Sequence, residues 1–409
     1  MFKRWSLAQW FSLLALIVNI SIALSYINFW RVAIQQDLLW QADFSAFYTG
    51  WAIVRDGKGE QLYDFKLQTE YQRNLLGGRS FAGGLLAFNY PPHTALLLMP
   101  LAWFPRPVSF WLWTVIQVLL LIWVLQLLAR ISYDWDAGER RHLYITVLAL
   151  PSLLFSLLGG SFSLLVLVSL LKYYLALKAS CDTRAGLWLA LGSIKPQSLI
   201  LPGIILLSGR RWRAVITLAM IGAVLFFISS MGLGWHIWPD FARVILEVGQ
   251  TSNRFGIYPE NMYNLRGLLT TLLDAKHSWI AAVSTGLMVA SMLFTFWLWN
   301  RPWQPQERKF ILHFSFTILM SLFFSPHLNR QDGLLFIIPA VLFYDYLRQR
   351  NLPRKAYAVF MLSAPSLFFL SEFILRDRVS IRLPALVIVV LSIWIGWGLW
   401  KDRQSLKPQ

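Results

Sequence analysis

The sequence predicts an all-α, polytopic membrane protein of about twelve transmembrane helices, a single domain over residues 1–409. Three observations predict it. Apolar residues fill 57% of the 409 positions and charged ones only 14%, against about 25% charged in soluble domains. Apolar runs of about 18 to 25 residues recur, each long enough to cross a bilayer core as a helix. These runs do not alternate polar with apolar residues, as the ~10-residue strands of a membrane β-barrel do.

Taken in order, the first span covers about residues 7–32, with Lys3 and Arg4 before it placing the N-terminus inside. Its apolar stretch is too long for a cleaved signal peptide. A polar, aromatic interval follows from Gln35 to Leu86, the first exoplasmic loop, with Phe44, Phe47, Trp51 and Val54 spaced as in interfacial amphipathic helices. A short second span is expected over residues 90–104 and a third over 108–128. Residues 130–142 then fall outside by helix count, although Arg130, Arg140 and Arg141 would prefer the cytoplasm. Spans over 143–158 and 161–176 join at Gly159-Gly160. The sixth, 186–207, contains Lys195-Pro196 and leads to the basic loop Arg210-Arg211-Trp212-Arg213 and a seventh span. Residues 232–277 form a second large exoplasmic loop. Five more spans follow, with basic loops at 301–309 and 348–355, and both termini lie inside.

The net charge of +17 reads as cytoplasmic loops and anionic headgroup contacts, since no soluble domain carries a basic stripe for nucleic acid. One cysteine, Cys181, excludes an intrachain disulfide. Six scattered histidines and no clustered carboxylates predict neither a metal site nor a cofactor.

Under this topology three polar intervals share one face: 35–86, 232–277 and 326–332. Asp43 is the leading candidate within them, either as a general base on a hydroxyl or as an N-cap. Lys195-Pro196 suits a half-helix break with an ammonium group for a phosphate, or a snorkelling lysine. His327, Arg330 and Arg266 could hold a lipid phosphate or make ordinary headgroup contacts. His93 is a possible ligand or a helix-start residue. Asp134-Trp135-Asp136 has the Asp-x-Asp pattern that binds metal and nucleotide-sugar phosphates, but no nucleotide-binding domain accompanies it.

The chain resembles the GT-C membrane glycosyltransferases, most closely glycosyltransferase family 87. The likeness rests on Asp43-Phe44 with Phe47-Tyr48, Gly59, Leu62-Tyr63, Tyr90-Pro91-Pro92 and Lys195-Pro196-Gln197. It continues through Arg211-Trp212-Arg213, Asn261, Leu265-Arg266-Gly267 and Ser325-Pro326-His327. The resemblance implies inverting transfer of a hexose, with mannose expected, from a polyprenyl-phosphate sugar to a lipid or glycan acceptor. The site would lie on the exoplasmic face of a bacterial inner membrane. Asp43 would be the base, and Lys195, His327, Arg266 and Arg330 would surround the donor phosphate, with Tyr48, Tyr90, His93 and Asn261 contacting substrate.

A transporter or flippase for a lipid or lipid-linked sugar is the alternative. It would need paired broken helices, whereas the sequence offers one clear break, at Lys195-Pro196.

Overall fold

The computed structural model describes residues 7–81, 83–250, 254–273, 278–300, 303–375 and 383–404. Lys3 and Arg4, on which the expected placement of the N-terminus rests, lie outside the described residues. So do 251–253 and 274–277 of the second polar interval and Arg301 of a basic loop. The described residues are helical and contain no strand, only two isolated bridges.

Helix α1 (Leu7–Gln35) runs from one end of the bundle to the other. Residues 36–105 then stay at the far end. They contain α2 (Phe44–Arg55), α3 (Phe65–Leu75) and the short α4 (Pro92–Leu98). Arg55 and Tyr48 on α2 donate to the carbonyls of Ala102 and Phe104 at 2.6 and 2.7 Å. Arg106 donates to the Leu39 carbonyl at 2.7 Å, closing the interval where it began. Residues 90–104 are therefore not a span. Prolines 91, 92 and 100 confine them to a seven-residue helix and a 3₁₀ turn folded against α2.

Helix α5 (Arg106–Ile131) returns the chain over about 39 Å. Helices α6 (Ala137–Ala149) and α7 (Pro151–Gly159) climb back as one pair bent by 48°, broken where Pro151 cannot continue the hydrogen-bond ladder. Helix α8 (Ser163–Lys178) descends again. The expected sixth span is instead a re-entrant hairpin. Helix α9 (Asp182–Leu191) rises to a tip at Lys195 and α10 (Ile200–Ser208) falls back, so that Arg211 lies 3.6 Å from Asp182 at its foot. Lys195 has φ −122° and ψ 77°, outside helical space as expected for a residue before proline.

Helix α11 (Trp212–Leu233) rises to meet Gly59. The amphipathic α12 (Ile237–Gln250) and the short α13 (Leu265–Leu272) lie at the far end. Helix α14 (Ser278–Trp299) descends, α15 (Arg308–Phe323) rises, α16 (Ile337–Gln349) descends and α17 (Lys355–Phe369) rises into a π-turn at Leu370–Ile374. Helix α18 (Leu383–Gln404) ends the described chain.

Six helices are long and apolar enough to cross a membrane, α1, α5, α11, α14, α17 and α18, or seven counting the bent pair. They are the peripheral ones. Their exposed faces are apolar, for example Val115, Leu119 and Ile122 on α5 and Ile216, Met220 and Val224 on α11. No water-facing helix would present such a surface. The shorter α8 and α16 are buried nearly all round and fill the interior with Leu164, Leu167, Leu171, Ile338, Leu342 and Phe343.

Two corrections thus offset one another. Removing span two moves residues 130–142 to the opposite end, and folding span six back on itself restores the parity of everything after it. The conflict in the positive charges disappears. Arg348 and Arg354 from the loop at 348–355 pair with Glu139 at 3.2 and 3.3 Å, and Arg348 pairs with Asp134 at 3.3 Å. Residues 130–142, 209–213 and 348–355 therefore share one basic end. In a Cys181→Ser background, Tyr133→Cys and Arg210→Cys should label with an impermeant thiol reagent from the same side, and Lys58→Cys only from the other. The twelve-span order requires Tyr133 and Arg210 to label from opposite sides.

The first loop departs from expectation too. Helix α2 is not an interfacial amphipathic helix: residues 44–53 are all buried. Phe44 and Phe47 pack on Phe110 and Phe162 at ring-centroid distances of 5.3 and 4.5 Å, and Trp51 on Trp113 at 6.3 Å. With aromatic residues on every side, the helix has no face to leave at the lipid surface.

Candidate active site

Asp43 occupies the N-cap position of α2, yet its side chain makes no capping hydrogen bond. One carboxylate oxygen, Oδ2, accepts instead from Gln331 Nε2 at 2.6 Å. The N-cap alternative fails here, while Asp64 does cap α3, accepting from the amides of Lys66 and Leu67. The chain enters α2 beside the α7–α8 turn. Gly160 there has φ +68°, and a Cβ on it would lie 2.8 Å from Phe44 Cβ, so glycine is required twice over. The turn is locked by Trp113 Nε1 donating to the Gly160 carbonyl at 2.7 Å.

Facing Asp43 is the segment 325–336, a loop leading into a 3₁₀ helix over Arg330–Phe336. Asp332 in it is buried. Its Oδ1 accepts from Ser163 Oγ at 2.6 Å and pairs with Lys195 Nζ at the hairpin tip, while Oδ2 accepts from the Asn329 amide at 3.2 Å. Lys195 Nζ also donates to Ser163 Oγ at 3.3 Å. Three separate elements, the start of α8, the re-entrant tip and the 3₁₀ helix, are thereby joined by one buried charge pair. Lys195 is neither snorkelling nor exposed; only 3% of its side chain is accessible.

The other candidates divide into those near this centre and those apart from it. Tyr90 lies close enough for the Asp43 and Asp332 charges to push its hydroxyl further above the usual range, burial being the main cause. His327 is held neutral, its pKa brought down to about 4 chiefly by burial; the Asp332 charge opposes this, and the Lys195 and Arg266 charges add to it. At neutral pH it is therefore a hydrogen-bonding group and not the cation the sequence suggested. Arg266 on α13 donates to the Gly249 carbonyl at 3.1 Å. Asn264 caps α13 and donates to the Ser325 carbonyl at 2.7 Å, tying the second polar interval to the third. Asn261, in a 3₁₀ turn, belongs to the same interval.

Arg330 pairs with the buried Glu372 of the π-turn at 3.2 Å and stacks over Phe155 at 4.8 Å. His93 lies 3.4 Å from Ser193, two residues before Lys195, and burial lowers its pKa to about 4. Tyr48 stands apart, its hydroxyl committed to Phe104. Asp134 and Asp136 lie at the basic end, one pairing with Arg348 and the other capping α6.

Ser163, Gln331 and Glu372 went unweighed in the sequence. A serine or glutamine in an apolar run gives no signal by itself; what marks them is the charged group each meets, 169 positions away for Ser163, 288 for Gln331 and 42 for Glu372.

Burial removes water from around the Asp43 carboxylate and raises its pKa to about 6; the Asp332 charge adds to this, and the Lys195 and Arg330 cations oppose it. A carboxyl group tuned toward neutrality suits proton abstraction from a hydroxyl.

Residues 88–326, more than half of the chain, match the model of glycosyltransferase family 87. The chain belongs to that family. It is accordingly a membrane glycosyltransferase, which sets the transporter alternative aside. Neither the curated proteins nor the solved structures gave a match. The matched segment includes Tyr90, His93, Lys195, Asn261 and Arg266 and ends one residue before His327. Asp43, Tyr48, Arg330 and Gln331 lie outside it, so their place in this glycosyltransferase rests on geometry.

Proposed function

We propose that this family 87 protein is a GT-C type enzyme that moves a hexose, with mannose the first candidate, from a polyprenyl-phosphate sugar to a hydroxyl of a lipid-linked or glycan acceptor. The observation that carries the reading is Asp43: a half-buried carboxylate released from helix capping, with a raised pKa and a partner across the fold. Asp43 takes the proton of the acceptor hydroxyl. The hydroxyl oxygen attacks the anomeric carbon from the face opposite the phosphate, the bond from that carbon to the phosphate oxygen breaks, and the lipid phosphate leaves with the electron pair. The configuration inverts.

The leaving phosphate needs positive charge and hydrogen-bond donors, for which the candidates are Arg266 and His327, near enough to each other for the Arg266 charge to act on the His327 ring. Lys195 and Arg330 are already paired with carboxylates and contribute less net charge.

Depth fits a lipid-borne donor. Helix α8 has 16 residues, about 24 Å of helix, so a start beside Asp332 is compatible with a site near the far boundary of a hydrocarbon core about 30 Å thick. A phosphate could reach it from the headgroup layer while its chain stays in lipid. The basic end, with Arg130, Arg140, Arg141, Arg210, Arg211 and Arg213, is the end expected in the cytoplasm, which supports a site toward the exoplasmic side, in the proposal that of a bacterial inner membrane.

The test is transfer by purified protein in detergent from polyprenyl-phosphate-mannose and polyprenyl-phosphate-glucose to extracted membrane lipids and glycans, read by mass of the product. Transfer from neither donor would remove this reading. The pH profile adds a second check. Asp43 must be ionised to act, so kcat/KM should level off above about pH 7 and fall roughly tenfold per unit below about pH 6. A flat profile from pH 5 to 8 would exclude Asp43 as the base.

A further inference from the structure

The 3₁₀ helix Arg330–Phe336 turns once every three residues, so consecutive side chains leave it in three directions. Arg330 goes to Glu372 in the π-turn. Asp332 goes to Ser163 and Lys195 at the start of α8 and the hairpin tip. Gln331, between them and 8% exposed, goes to Asp43. Anchored on both flanks, Gln331 has little freedom to turn elsewhere. Gly333 closes the clamp: a Cβ there would meet Ser152 Oγ at 2.3 Å, so the segment sits tight against α7.

The amide has one orientation that suits an ionised carboxylate, nitrogen toward oxygen, and that is the one present. The 2.6 Å separation places the amide nitrogen in direct hydrogen-bond contact with Oδ2. No helix amide caps Asp43, so Gln331 is what directs its Oδ2.

We propose that Gln331 is the positioning residue of the transfer reaction, holding Oδ2 of Asp43 so that Oδ1 is presented to the acceptor hydroxyl. This rests on the reading of Asp43 as the base. The buried Lys195–Asp332–Ser163 group then has a purpose other than phosphate binding: it fixes the 3₁₀ helix that aims Gln331.

The test uses the full-length enzyme and four substitutions. Gln331→Leu keeps the bulk and removes the donor. It should lower kcat about 10- to 100-fold with the acceptor KM changed less than about twofold, and move the acid limb of the pH profile upward, because an ionised carboxylate without its donor holds a proton more tightly. Asp43→Glu and Gln331→Asn should each lower kcat. Combined, the longer acid and shorter amide restore the contact, and the double variant should exceed the worse single variant at least about fivefold. This comparison stands even where Gln331→Leu does not fold.

Native kcat with an unmoved limb in Gln331→Leu, or a double variant no better than the worse single one, overturns the positioning role while leaving Asp43 as the base. Full activity in Asp43→Asn overturns the base and the positioning role together.

Discussion

Asp43→Asn should lower transfer by about 10² to 10⁴-fold at pH 7.5, the range that a positioned general base contributes. The same substitution should not harm the fold. Asp43 does not cap α2, so no capping bond is lost. By contrast, Asp64→Ala removes two hydrogen bonds to the amides that open α3 and should cost about 1 kcal/mol.

The sign of the Asp43 effect on stability can be stated. Its folded pKa, about 6, lies above the ordinary carboxylate value of 3.8, so the fold favours the protonated form. Stability contributed by that proton is fully present below the ordinary value of 3.8 and is lost as the pH rises through about 6. Above that, a neutral asparagine replaces a charge that burial disfavours. Thermal unfolding of Asp43→Asn in detergent should therefore match or exceed the native midpoint at pH 8, while activity collapses. An asparagine variant that transfers sugar like the native enzyme would remove Asp43 from the chemistry. One that unfolds well below it at pH 8 would make Asp43 a structural residue.

The fold class was legible because composition and run length respond directly to a bilayer. Asp43 stood out as a candidate because a carboxylate next to an apolar run is costly enough to be conspicuous, and its contact with Gln331 could not be read there. The span count was not, since length and hydropathy cannot separate a helix facing lipid from one buried among helices. Residues 186–207 and 334–347 are as apolar as true spans, yet one is a re-entrant hairpin and the other the 13-residue core helix α16. The arginines of residues 130–142 did carry the correct information about their end of the bundle, against the helix count. The partner of Lys195 was hidden for another reason. A lone buried lysine reads as a free cation until its carboxylate is found, and Asp332 lies 137 positions away.

That pair yields the second large effect. With both side chains only 3% accessible, Lys195→Met leaves the Asp332 carboxylate buried beside Ser163 with no countercharge. Removing one partner of such a pair costs about 3 to 5 kcal/mol, whereas replacing both with neutral groups often costs little. Lys195→Met should lower the unfolding midpoint markedly, and Lys195→Met with Asp332→Asn should recover most of the loss. The amide of an asparagine can still accept from Ser163 or from the Asn329 amide, which keeps the 3₁₀ helix seated.

Activity in this double variant separates two roles for Lys195. If the lysine serves to lock the segment that carries Gln331, restoring the seat without the charges should return transfer to within about tenfold of native. If the ammonium group is itself a ligand of the donor phosphate, the double variant should be stable and still lack the 1.5 to 3 kcal/mol of a charged hydrogen bond, a loss of about 10- to 100-fold concentrated in the donor KM. The burial of Nζ against Ser163 and Asp332 favours the lock, because a phosphate would first have to displace a carboxylate already in contact with it.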